Sequence, residues 1–374
     1  MPIEIKEVLT SCDRKKFVEL PFEIYKGNAF WVPSMNKDEL HNINPEENPA
    51  YDFCTAKFWI VLKDGKCVGR IGAIVNHVYN EKRNENLGRI CRMEFYDDYE
   101  VSGLLFSTAE NWLKEQKVDG VLGPLGFTNL DTQGLLVEGF DHLQSIASTY
   151  HLPYYQVHFE KYGYEKEIDW VEFRLFIKEV PPKAARLADL IKERHNLKVI
   201  NPKSKKELMS YAQKVFKLLN LAFEELPFVV SFDEKMRNYY IKKYFNSLNY
   251  NFVKIIETQQ GDLAGFIICV PSLSKAFRKA KGKLLPFGFI PVLKALKHPD
   301  TADIFLTAVD PKLQSMGIPA ILINELQQSL IKHGVKAVET TGIFETNQKA
   351  ITTWKNYDHI MHKRRRCYRK MFNS

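Results

Sequence analysis

The chain lacks any run approaching the roughly twenty uninterrupted apolar residues of a membrane-spanning helix, so no span is expected. Its N-terminus, MPIEIKEVL, lacks a basic segment followed by an apolar run, so no secretory leader is expected either. The six cysteines (Cys12, Cys54, Cys67, Cys91, Cys269, Cys367) are scattered, without a Cys-x-x-Cys pair. That spacing argues against a disulfide framework or a zinc site, and it suits buried thiols in a reducing, cytoplasmic setting with no metal. One further absence is local. Between Asp262 and Asp300 no acidic residue occurs, while Lys275, Arg278, Lys279, Lys281, Lys283, Lys294 and Lys297 are basic.

What is present is a long, globular composition. At 374 residues, 45% hydrophobic and 13% aromatic, the chain can fill two cores of ordinary size. A formal charge of +8 permits anionic partners without demanding any of them.

The informative stretch is Asp303 to Tyr357. Ile304 to Val309 reads as a strand, broken by Asp310-Pro311. A helix is predicted from about Pro319, with Ile321, Leu322, Leu326 and Leu330 at helical spacing and His333-Gly334 as its stop. Between them lies Gln314-Ser-Met-Gly317-Ile-Pro319. A strand that feeds a glycine-containing turn and then a helix start presents backbone N–H groups and the positive end of a helix dipole, a place for a phosphate. A second strand, Val335 to Thr341, leads to Glu345, Asn347 and Ala350, then Trp354 and Tyr357.

This succession resembles the GNAT acyltransferase superfamily. Its members end the strand in a valine and cradle the CoA pyrophosphate in a Gln/Arg-x-x-Gly-x-Gly/Ala loop. An Asn-x-x-Ala helix follows, with an aromatic residue seven positions after the Asn. Val309, Gln314, Gly317, Asn347 and Ala350 match. The resemblance implies acetyl-CoA or another acyl-CoA as co-substrate, held by Val309, Gln314, Ser315, Met316, Gly317, Ile318, Ala320 and Asn347. Two positions depart from the pattern. Pro319 replaces the second small residue and removes one N–H donor. Trp354 stands where the family has a tyrosine that protonates the leaving thiolate, and an indole cannot do so.

For the remaining chemistry, Glu345 and Glu339 are the candidate bases, each equally readable as a salt-bridged carboxylate. Tyr357, one turn beyond Trp354, is the candidate acid or else a packing residue. Asn347 bonds the pantetheine arm or caps the helix, and the two roles are compatible.

The rest of the chain repeats the same order of elements. Lys57–Leu62 and Cys67–Val75 form a hairpin around Asp64-Gly65, followed by strand 89–96, helix 101–116, strand 118–122, a helix opened by Pro153 and strand 169–177. The second half is predicted to run helix 204–221, strands 251–257 and 263–270, then the unit above and a final strand near His359 to Tyr368. Whole-chain resemblance is to bacterial tandem GNAT-fold proteins. It rests on Phe30-Trp-Val-Pro33, Asn48-Pro49-Ala50, Val68-Gly-Arg-Ile71, Gly123-Pro124, Pro153-Tyr-Tyr155 and Phe159…Gly163-Tyr164, among others.

The expected fold is therefore α+β, two tandem GNAT-like domains, each a mixed central sheet flanked by helices. The divisions are 1–178 (degenerate copy), 179–202 (linker) and 203–374 (acyl-CoA motif, with a basic insertion at 272–299). In the first copy Asp97, Asp98 and Glu100 stand where a pyrophosphate would sit, and they would repel it. The insertion reads as a lid, or as a surface for an anionic acceptor or an acidic membrane. The expected activity is transfer of an acetyl or acyl group to a small-molecule or peptide amine. A tRNA-dependent transferase of tandem fold and a non-catalytic CoA-binding protein are the alternatives.

Overall fold

The computed structural model describes residues 2–180, 182–355 and 357–372. Its strands are β1 Ile3–Glu7, β2 Cys54–Lys63, β3 Lys66–Asn76, β4 Leu87–Phe95, β5 Gly120–Gly123, β6 Leu135–Glu138 and β7 Glu165–Phe176. In the second half they are β8 Lys198–Ile200, β9 Val253–Glu257, β10 Leu263–Pro271, β11 Thr301–Val309, β12 Ala337–Thr340, β13 Ile343–Phe344 and β14 His359–Met371.

The predicted hairpin is β2–β3. Asp64 (φ 51°) and Gly65 (φ 77°) both occupy the left-handed region, which a tight two-residue turn requires. Each half then repeats strand, helix, parallel strand. β4 pairs in parallel with β5 across helix Tyr99–Glu115, and β11 with β12 across helix Ile318–Lys332. Both helices bury an apolar face on their sheet, through Leu105, Phe106, Ala109 and Leu113 in one and Ile321, Leu322, Leu326 and Leu330 in the other. The expected helix 204–221 is broken into Lys205–Ser210 and Ala212–Phe223. Ser210 lies at the break and donates its hydroxyl to the Glu207 carbonyl, a local bond that competes with the helical ladder.

Both halves have the α+β, mixed-sheet architecture expected of them. Their sheets are also one sheet. The strand order runs β1-β2-β3-β4-β5-β14-β7-β12-β11-β10-β9-β8. The last strand of the chain, β14, lies between β5 and β7, and β7 pairs in turn with β12. Each half thus donates its final strand to the seam. The segment 179–202 is ordered as helix Pro182–Arg194, packed on helix Ile318–Lys332, and as the edge strand β8 on β9.

The cores follow this arrangement. One gathers under helix Tyr99–Glu115 and another under helix Ile318–Lys332. A third, on the opposite side, mixes the halves: Phe17, Phe58 and Ile60 belong to the same cluster as Phe216, Ile255, Phe266 and Ala308. Among the described residues no helix is long and apolar enough to cross a membrane, and no group of His, Cys, Asp or Glu is placed to hold a metal ion.

Candidate functional site

The site grows from the way β11 and β12 part. They are paired from Thr301/Ala337 to Ile304/Thr340. Thr341 still donates its N–H to the Ile304 carbonyl and its hydroxyl to the Phe305 carbonyl, and beyond it the chain swings away, Ile343–Phe344 pairing with β7 instead. On β11 the register with β10 slips between Ile304 and Leu306, so Phe305 is a bulge. A bulge adds twist and re-aims a strand. From Leu306 to Val309 that edge of β11 has no strand partner among the described residues. It is an open V, with the backbone of β11 along one arm. Inside it Thr307 carries a buried hydroxyl oxygen with no hydrogen-bond partner.

At the mouth of the V, Asp310 caps a short 3-10 turn, Pro311–Met316, by accepting from the Lys312 N–H. Gly317 follows at φ 76°, ψ 15°, the left-handed conformation that glycine adopts without strain. Helix Ile318–Lys332 starts there with no side-chain cap on its N-terminus and Pro319 in its first turn. Gln314, Ser315, Met316, Gly317, Ile318 and Ala320 are thus brought together around an uncapped helix start, Gln314 and Ser315 being exposed. These features fit the pantetheine and pyrophosphate of a CoA thioester: an unpaired strand edge, an orphaned hydroxyl and an open helix N-terminus. In the first half the equivalent helix start is closed. Asp98 accepts from the N–H groups of Glu100 and Val101, and Asp97 pairs with His158 at 2.8 Å.

Asn347 caps the following helix, Gln348–Lys355, its side chain accepting from the Ala350 N–H at 3.1 Å. Trp354 and Tyr357 line a small apolar pocket with Leu175, Ile304, Leu326 and Val338, between the two helices. Burial pushes the Tyr357 hydroxyl up, so it holds its proton. Glu345 sits at the seam, paired with Lys166 (2.7 Å) and Arg364 (3.2 Å), and it accepts from the Asp169 N–H.

Glu339 belongs to a group that sequence spacing did not reveal. Ala302, Ile304, Val338 and Leu175 face helix Ile318–Lys332, so alternation turns Asp303, Glu339 and Arg174 to the opposite face. Asp303 lies beside Glu339 in the β11–β12 register, and Glu339 beside Arg174 in β12–β7. Arg174 donates to Glu339 at 2.6 Å, and His362 Nε2 approaches its other oxygen at 2.7 Å. The His362 Nδ1–H donates to the Glu172 carbonyl. Arg365 donates to the Glu172 carboxylate at 2.7 Å and Lys363 to the Leu143 carbonyl.

Two carboxyls in this group are driven apart. Burial, then the charge of Glu339, pushes Asp303 up to about 7, against a smaller opposing effect of the Ser272 hydroxyl. Burial also opposes ionisation of Glu339, but the His362 hydrogen bond and the charges of His362, Lys363 and Arg174 bring it down to about 2. Four strands from both halves, β7, β11, β12 and β14, supply these residues. Only their pairing reveals the group. The one signal in the sequence is charge at single alternating positions inside apolar strands.

Residues 213–357 match the Acetyltransferase (GNAT) family model. The chain has a tandem GNAT fold. It is similar over 98% of its length to Protein YghO of Escherichia coli (strain K12), at 27% identity and 95% of that protein. A bacterial ceramide synthase of Caulobacter vibrioides is 24% identical over 98% of this chain and 97% of its own. A tandem GNAT protein from the clavulanic acid biosynthesis pathway superposes over 100% of both chains with a TM-score of 0.57 and 13% identity. A GNAT structure from Sphaerobacter thermophilus covers 99% of this chain and 95% of its own at a TM-score of 0.54 and 12% identity. At such identities the solved structures speak for the fold alone.

Proposed function

We propose that the protein is an acyl-CoA-dependent N-acyltransferase whose C-terminal half holds the thioester in the V between β11 and β12. The observation that carries this is the edge of β11 left without a strand partner, Leu306–Val309, running into Gly317 and an uncapped helix start. In this reading Val309, Gln314–Ile318 and Ala320 receive the pantetheine and pyrophosphate, and Asn347 shapes the far wall by capping its helix.

Acyl transfer forms a C–N bond as the C–S bond breaks, and one proton must leave the amine. Among the candidate groups, Asp303 has the proton affinity suited to receive it near neutrality, one residue before the strands part. Glu339 is the fixed anion that helps set that affinity, and His362 leads from it toward His142, whose ring lies 5.1 Å away. Glu345, held by Lys166 and Arg364, positions the start of the V. Tyr357 lies in the apolar pocket and remains the candidate proton source for the leaving thiolate.

The acceptor is proposed to be a long-chain amine. A relative aligned end to end is a ceramide synthase, and ceramide formation is N-acylation of a long-chain amino alcohol.

Calorimetric titration with acetyl-CoA and with a long-chain acyl-CoA tests the cofactor. Affinity in the micromolar range is expected, falling at least about tenfold in Gly317→Trp, because the left-handed turn and the approach to the helix start would both be lost. A melting curve of the variant confirms that it is folded. Equal affinity in both proteins, or none in the wild type, would sink the reading. Incubation with a long-chain amine and mass spectrometry for the amide then tests the acceptor.

A further inference from the structure

Residues 272–299 leave the sheet after β10 and return to it at β11, a connection that carries helices Ser274–Ala280 and Phe289–Lys297. The first helix is seated, with Ala276 and Ala280 buried. The turn after it is fastened to the first half of the chain. Asn36 donates its N–H to the Gly282 carbonyl at 3.0 Å. Gly282 has φ 73°, and a Cβ there would lie 2.4 Å from Phe22 and 2.5 Å from Asn36. The insertion is therefore held in place across the two halves.

Beyond that anchor the chain turns apolar and outward. Leu285 is 78% and Phe287 72% exposed, and Leu284, Phe289, Ile290, Leu293 and Leu296 are exposed as well. Helix Phe289–Lys297 buries none of its residues. Phe289, Ile290, Leu293 and Leu296 recur at helical spacing, so they form one face. A contiguous apolar face on a polar chain marks an interaction surface.

Charge identifies the occupant. The same segment carries Lys275, Arg278, Lys279, Lys281, Lys283, Lys294 and Lys297 and no carboxylate. Among the described residues only Lys275 has an acidic partner, Asp300 at 2.7 Å. A nucleic acid would meet the cations but offer nothing to the leucines and phenylalanines. A second copy docked face to face would bring the two sets of cations together, which is repulsive. An anionic bilayer satisfies both parts: acyl chains below, phosphates at the level of the lysine heads. We propose that the 272–299 insertion docks the protein on an anionic lipid bilayer, Leu285, Phe287 and the helix face Phe289–Leu296 entering the headgroup boundary.

The test is flotation of the purified full chain with phosphatidylcholine vesicles, with and without phosphatidylglycerol. The wild type is expected to float with the anionic vesicles and at least about tenfold less with neutral ones, or at high salt. The double variant Phe287→Glu/Leu293→Glu should lose flotation and keep its melting temperature, since both side chains are exposed. Replacing Lys281, Lys283, Lys294 and Lys297 by Gln should erase the preference for anionic lipid. Wild-type protein that stays unbound with anionic vesicles would overturn the proposal, as would a double variant that floats equally well. So would sedimentation showing a dimer that the double variant abolishes without any vesicle binding, which would make a second copy the occupant. The assay contains no CoA and no acceptor, so its result stands apart from the acyl-transfer reading.

Discussion

Asp303 and Glu339 are neighbours on adjacent strands, and their surroundings push them in opposite directions. The sign of each shift sets a different pH window. Asp303 binds its proton more tightly folded than unfolded. Its contribution to stability is therefore full in acid and lost as pH rises from about 4 to about 7. Glu339 is the reverse, contributing above the ordinary carboxylate range and losing that contribution as pH falls toward about 2. Asp303→Asn removes the first effect alone. Its melting temperature relative to wild type is expected to rise between about pH 5 and about pH 8, and a flat difference would contradict a buried carboxyl of raised proton affinity. Glu172 is the counter-charge that Arg365 depends on, both being almost wholly buried. Glu172→Leu should cost roughly 3–5 kcal/mol in chemical denaturation, because it leaves a guanidinium buried without its carboxylate. Gly317→Ala places a Cβ at positive φ and 2.7 Å from Ile191, so a loss of about 1–2 kcal/mol is expected.

At the scale of elements, caps and turns were the most legible features. Asp64-Gly65 announced the β2–β3 hairpin, and Asn347 announced its helix. Asn347→Ala should lower stability by about 1 kcal/mol through the lost cap, read as a shift in the urea midpoint. Several short strands were not legible. β6, β8 and β13 span four residues or fewer, and β8 sits inside the stretch read as a linker. Too few side chains alternate in them to form a pattern, and each exists because a neighbouring strand offers its edge. The V has the same origin. Apolar alternation named β11 and β12 as strands, but where they stop pairing depends on the bulge at Phe305 and on β7 capturing Ile343 and Phe344.

The whole molecule is held by exchange of its last strands. β14 covers β5 and β7, and β7 joins β12, so neither half closes its sheet without the other. The mixed core around Phe17, Phe58, Phe216 and Phe266 adds to this coupling. A single cooperative transition is expected in calorimetry, with near-UV and far-UV circular dichroism coincident; two resolved transitions would show that the halves unfold independently. The sequence by itself determined the element order, the repetition of that order and the Gly317 turn. These depend on local propensities, hydrophobic period and residues suited to one backbone conformation, all of which act over a few neighbouring positions. Only the tertiary structure decided that the two sheets are one, that Asp303, Glu339 and His362 meet on one face, and that Glu345 is tied to Lys166 and Arg364. Those outcomes depend on which distant strand edges pair, and strand pairing is selected by the fit of whole faces rather than by any short stretch of residues.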